Sequence, residues 1–147
     1  MHNVLIFGTS YVQGQHARYE ITLWRDLVTK LNPDADFLVI DSASPDLPPL
    51  PGVEVQQLGD NIGHLSRGGR DGWGRAFVAG LTAAYDWVVH IETDLLFARP
   101  VASIIKKLER YGVGAACPVA LPYAFIETGL MFLRGDVAAR QIGRAHV

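Results

Sequence analysis

The chain has 147 residues, 49% hydrophobic and 19% charged, enough for one soluble domain with its own core. A net charge of −2 and a pI near 6.2 give no basic stripe for a phosphate backbone, so no nucleic-acid partner is expected. The single cysteine, Cys117, excludes an intrachain disulfide and a zinc ribbon. No apolar run approaches the ~20 residues of a membrane helix, and the start reads as a strand rather than a leader, so the expected location is the cytoplasm.

In chain order, "NVLIFG" is short, apolar and rich in branched residues, and predicts a first strand. In residues 10–33, Ala17, Ile21, Trp24, Leu27, Val28 and Leu31 recur at helical spacing until Asn32-Pro33 ends the helix. "DFLVID" predicts a second buried strand. The proline-rich "SASPDLPPLPG" must be loop, and the alternating "VEVQQL" a third strand. Residues 59–75, "GDNIGHLSRGGRDGWGR", form a glycine-rich loop before a short helix, "AFVAGLTAAY", and the strand "WVVHI". "RPVASIIKKLERYG" predicts a helix with Pro100 in its first turn, Gly112 just past its end, and a buried stripe of Val101, Ile104, Ile105, Leu108 and Tyr111. "VGAACPV" and "GLMFLR" follow as strands.

Residues 1–140 thus read as one domain, and 141–147, "QIGRAHV", as a non-native, adapter-derived tail that joins no packed element. A sheet cut at that point leaves "GLMFLR" poorly supported and the chain prone to self-association.

Strands alternating with helices predict an α/β fold, a mostly parallel sheet flanked by helices. Such sheets bind ligands at the C-terminal ends of their strands. There the sequence collects Thr9, Ser10 and Tyr11, then Asp41 and Ser42, then the glycine-rich loop, then Glu92, Thr93 and Asp94. A dinucleotide reading of "VLIFGTSYVQG" is weak. Only Gly8 and Gly14 are present, and Tyr11 and Val12 fill the space a pyrophosphate needs.

Glu92 and Asp94 end an apolar run, where burying carboxylates costs several kcal/mol unless something compensates them. Spaced i and i+2, they point the same way in extended backbone. Magnesium or manganese on a diphosphate is the natural compensation, because such ions take oxygen ligands and often use one or two protein carboxylates. The bland alternative is a solvated turn.

These features together resemble the donor-binding part of glycosyltransferases of the GT-A fold, and are similar to the inverting family 2. The acid motif appears as Glu92-Thr93-Asp94, the acid after the second strand as Asp41 in "IDSAS". The segment before the motif appears as "NIGHLSRGGRDGWGRAF", with Asn61, Gly63, Arg70 and Gly72 in matching order. Glu92 stands where the family has Asp, Asp71 where it has Asn, and "FGTSYVQG" lacks the usual "P-x-Y-N".

The resemblance covers about residues 3 to 137 and implies a C-terminally truncated nucleotide-sugar-binding domain with a divalent metal, Mn or Mg. It implies that Asp94 binds the metal and Glu92 the metal or the donor ribose. Asp41 would contact ribose or base, Thr9 and Tyr11 the base, and Arg70 the diphosphate, with Arg67 and Arg75 as weaker candidates. Trp73 and Glu127 are candidate sugar contacts. The competing readings are a turn or cap aspartate for Asp41, solvated loop arginines, and a packed aromatic for Trp73. His90 and Cys117 read as core. The partners implied are a nucleotide-sugar donor and an unknown acceptor, be it glycan, lipid or protein; no general base is named. A nucleotidyltransferase of related fold and a non-catalytic nucleotide- or carbohydrate-binding module are the rival functions.

Overall fold

A computed structural model of the chain describes residues 2–59, 85–120, 125–126 and 129–145. Its elements are β1 (Val4–Ser10), α1 (Gly14–Leu31), β2 (Asp36–Asp41), β3 (Glu54–Gln57), β4 (Trp87–Ile91), α2 (Val101–Arg110), β5 (Ala115–Ala116), β6 (Val119–Ala120), β7 (Phe125–Ile126), β8 (Leu130–Arg134) and α3 (Gly135–Ala145). Six strands form one sheet in the order β3-β2-β1-β4-β8-β5, and β6 and β7 pair separately. β1 pairs in parallel with β2 and β4, and β2 with β3. β8 runs antiparallel to both β4 and β5. The sheet is therefore mixed, and β8 is an interior strand rather than a poorly supported edge. Its Phe132 and Leu133 are buried.

Alternation along the strands divides the core. Val4, Ile6, Val89, Ile91 and Phe132 face α1 and α2, meeting Ile21, Trp24, Val28, Val101 and Ile105. Leu5, Phe7, Val88 and Leu133 face the other way and meet Ala138 of α3. His90 lies on that second face, fully buried, with its ring centroid 4.9 Å from that of Phe7. It is a core histidine, as its place in the strand implied.

Of the three expected helices, "AFVAGLTAAY" lies outside the described residues apart from Tyr85, as does the glycine-rich loop before it apart from Gly59. The other two form, with differences at their ends. Asn32 links them. It is buried, its Nδ2 donates to Val28 O (2.9 Å) at the end of α1, and its Oδ1 accepts from Val101 N (2.8 Å) at the start of α2. One side chain thus satisfies terminal backbone groups of two helices. At the end of α2, Gly112 has φ +65°. Its N–H reaches Glu109 O (2.9 Å) and Val113 N–H reaches Leu108 O (2.8 Å), a Schellman motif that only a left-handed residue closes easily. Tyr111 is the C-cap and 76% exposed, so it does not join the buried stripe. Cys117 is half-buried rather than core.

α3 was not foreseen, and it carries residues 141–145, expected to be tail, as helix. No helix among the described residues is long and apolar enough to cross a membrane.

Candidate functional site

The C-terminal ends of β1 and β4 are bound together by a few specific contacts. Gly8 of β1 has no room for a side chain: a Cβ there would stand 2.8 Å from Ile91 O, 2.8 Å from Thr93 Cγ2 and 3.2 Å from Trp24 Cζ2. Gly8 is thus a packing glycine. Trp24 Nε1 donates to Ile91 O (3.2 Å), and Thr93 Oγ1 donates to Thr9 O (3.0 Å). Leu95 N–H closes a turn on Glu92 O (2.9 Å), so the strand has already ended when the acids begin. Glu92 and Asp94 meet by way of this turn, not through the extended-strand geometry their spacing suggested.

Thr9, Tyr11, Glu20, Glu92, Thr93 and Asp94 line one cavity of about 200 Å³, with Val12 and Ala17 as apolar wall. Asp94 is exposed, and among the described residues no hydrogen bond or ion pair holds it. Larger cavities of about 360 and 740 Å³ lie beside the N-terminal ends of β1, β2 and β3. Strand-end chemistry in parallel sheets is found at the opposite end, so the smaller cavity is the candidate.

Asp41 does not line it. Its side chain is fully buried; Oδ1 accepts from Ser10 Oγ (2.7 Å) and from Ser44 Oγ, and Oδ2 from Ser44 N (2.9 Å). Ser44 Oγ in turn accepts from Val12 N (2.6 Å). Both carboxylate oxygens are engaged by the chain itself, and Asp41 shapes the loop that carries Tyr11. The start of α1 is also occupied from within: Asp46 Oδ2 accepts from Gly14 N (2.7 Å), and Arg18 Nη1 donates to Asp46 O (3.0 Å). A helix N-terminus favours an anion, and here Asp46 supplies it where a dinucleotide fold would place its pyrophosphate.

Arg67, Arg70, Asp71, Trp73, Arg75 and Glu127 lie outside the described residues. Of the other expected site residues, the structure brings Thr9, Tyr11, Glu92 and Asp94 together and leaves Asp41 behind. Glu20 was missed; its place beside Ile21 on the helix face turned towards the sheet was the available signal. It pairs with His16 at 3.0 Å.

No cluster of three or more His, Cys, Asp or Glu suited to a metal ion occurs among the described residues. The donor set at the turn is two carboxylates. That set does not fit an ion held by protein alone. It does fit magnesium or manganese that takes its remaining oxygens from phosphate and water.

No protein-family profile matches the chain, and no curated protein matches it. Solved structures do. The mannosyltransferase PcManGT from Pyrobaculum calidifontis, described in complex with GDP-Man and Mn2+, matches with a TM-score of 0.65 at 18% identity, covering 95% of this chain and 46% of that one. S. aureus TarS (residues 1–349) matches at 0.59 and 12% identity, covering 95% and 49%. M. tuberculosis glucosyl-3-phosphoglycerate synthase matches at 0.58 and 15%, covering 92% and 58%. The fold is that of GT-A glycosyltransferases, and the chain spans about half the length of the structures it matches.

Proposed function

We propose that the chain is the donor-binding portion of a glycosyltransferase that moves a sugar from a nucleoside diphosphate to an acceptor, with inversion and with a divalent metal on the leaving group. The observation that carries this reading is the placement of Glu92 and Asp94 on one turn at the end of β4, sharing a cavity with Thr9 and Tyr11 at the end of β1. The neighbours' ligands support the donor class: GDP-Man and Mn2+ with PcManGT, UDP and UDP-GlcNAc with TarS.

Asp94, exposed, would give its carboxylate to the ion, and Glu92 would share the ion or take a ribose hydroxyl. Bound magnesium or manganese would offset the charge that develops on the departing diphosphate. Thr93 holds the turn against β1 and so fixes the acids relative to Thr9 and Tyr11, whose side chains would flank the base. Arg70, Trp73 and Glu127 stay as proposed diphosphate and sugar contacts. The acceptor must be deprotonated by a general base.

Calorimetry with uridine and guanosine diphosphates, with and without manganese, tests this. Binding should need the metal and vanish with chelator. Asp94→Asn should weaken metal-dependent binding by at least about tenfold, and Glu92→Gln less, with melting temperatures preserved or raised because like charges are relieved. Undiminished metal-dependent binding in Asp94→Asn would sink the assignment. A non-catalytic module would bind in the same way yet leave the nucleotide sugar unhydrolysed and untransferred.

A further inference from the structure

Glu92 is met from across the sheet by a residue that the chemistry above does not use. The β4–β8 ladder pairs Ile91 with Leu130 in antiparallel register. One step further, Glu92 N–H donates to Gly129 O at 2.8 Å. Residues paired across an antiparallel ladder put their side chains on the same face. Gly129 has none, and that space is filled by the acid. A Cβ on Gly129 would stand 2.8 Å from Glu92 Oε2, 3.6 Å from Cδ and 3.8 Å from Cβ.

The backbone does not ask for glycine here. No left-handed φ stands against a side chain at Gly129, so what a Cβ would meet decides the substitution. The atom in the way is also not backbone, as it is at Gly8, where Ile91 O blocks a side chain. At Gly129 the obstructing atom is the far end of a flexible carboxylate. A methyl group at 129 would displace the acid and leave the sheet standing.

We infer that Gly129 is a positioning residue for Glu92: its carbonyl pins the acid's backbone and its missing side chain gives the carboxylate its seat beside the cavity. The inference rests on the reading of Glu92 as a site acid. It also accounts for the longer of the two acids standing at 92. A glutamate carboxylate there lies over Gly129, and an aspartate, one methylene shorter, would draw back from it.

The test is a double-mutant cycle of Gly129→Ala and Glu92→Asp, read by calorimetry with guanosine or uridine diphosphate and manganese, and by ligand-free melting. Gly129→Ala should weaken metal-dependent binding about tenfold while the ligand-free melting temperature moves by no more than ~2 °C. In the Glu92→Asp background, where the shorter acid leaves room for the methyl, Gly129→Ala should cost less than about twofold. Equal losses in both backgrounds would mean that Gly129 acts through the backbone, and would overturn the positioning role. So would wild-type binding in Gly129→Ala, or a large fall in its melting temperature. A wild-type chain that binds the nucleotide with no need of metal overturns the reading of the acid pair first, and this inference with it.

Discussion

Tyr85 shows how one side chain can tie stability to pH. Its hydroxyl donates to Asp36 Oδ2 at 2.8 Å. Burial first, then that bond and the negative charges of Asp36 and Glu54, push the phenol up to about 12. A folded-state value above the unfolded ~10 means that the neutral phenol stabilises the fold fully below pH ~10, and that this contribution is lost as pH rises through about 12. Tyr85→Phe should therefore cost about 1 kcal/mol at pH 8, and the gap to wild type should close between pH 10 and 12 in urea unfolding. A gap independent of pH would remove Tyr85 from the account. At this scale the sequence was only partly legible. Glu92 and Asp94 stand out in the sequence because two acids at the end of an apolar run are costly unless something compensates them. The hydrogen-bond network of Asp41 could not be read, because its partners Ser10 and Ser44 come from two segments that meet only when β1 and β2 pair. Nor could Gly129, whose meaning depends on the β4–β8 register and leaves no local mark.

Elements were more legible where a period and a stop coincide. α1 and α2 were evident from apolar spacing, from Asn32-Pro33 and from Gly112. α3 was not, since it opens on Gly135, a poor helix former, and offers Val137 and Ala138 as a modest apolar face. What sequence spacing does not reveal is that Asn32 serves two helices at once. Asn32→Leu removes both side-chain bonds and leaves Val101 N–H without its acceptor; it should cost about 2–3 kcal/mol in chemical denaturation. Asn32→Asp keeps the acceptor for Val101 N and loses the donor to Val28 O, so its cost should fall between leucine and wild type. Equal losses for the two variants would show that the link to α2 contributes nothing.

For the whole molecule, an alternation of strands and helices announced the α/β class, and polar residues at strand ends announced which end to inspect. Strand direction was beyond it: "GLMFLR" reads alike in either sense, and only its ladders with β4 and β5 reveal β8 as antiparallel. The sheet's interior is β2, β1, β4 and β8, while every residue of β3 is exposed and β5 has two residues. Local opening is cheapest where least is buried. Amides of β1 and β4 should therefore exchange with deuterium slowest, at rates set by global unfolding, and those of Glu54–Gln57 faster by orders of magnitude. Equal protection in β3 and β4 would contradict this ranking.

The late arrival of an interior strand bears on how a ribosome makes this protein. β1, α1 and β2 can associate as they emerge, and β4 can add to β1. β5 is synthesised before β8 yet, among the described residues, pairs with it alone, so β5 takes its place in the sheet when β8 inserts. Through all that interval one margin of β4 offers bare peptide groups flanked by Val88, Val89 and Ile91, a template for any extended segment nearby. Vectorial synthesis thus holds the nascent chain half-zipped until Arg134 has left the exit tunnel, a window in which a holdase chaperone, or β8 of a neighbouring copy, competes for the same seam.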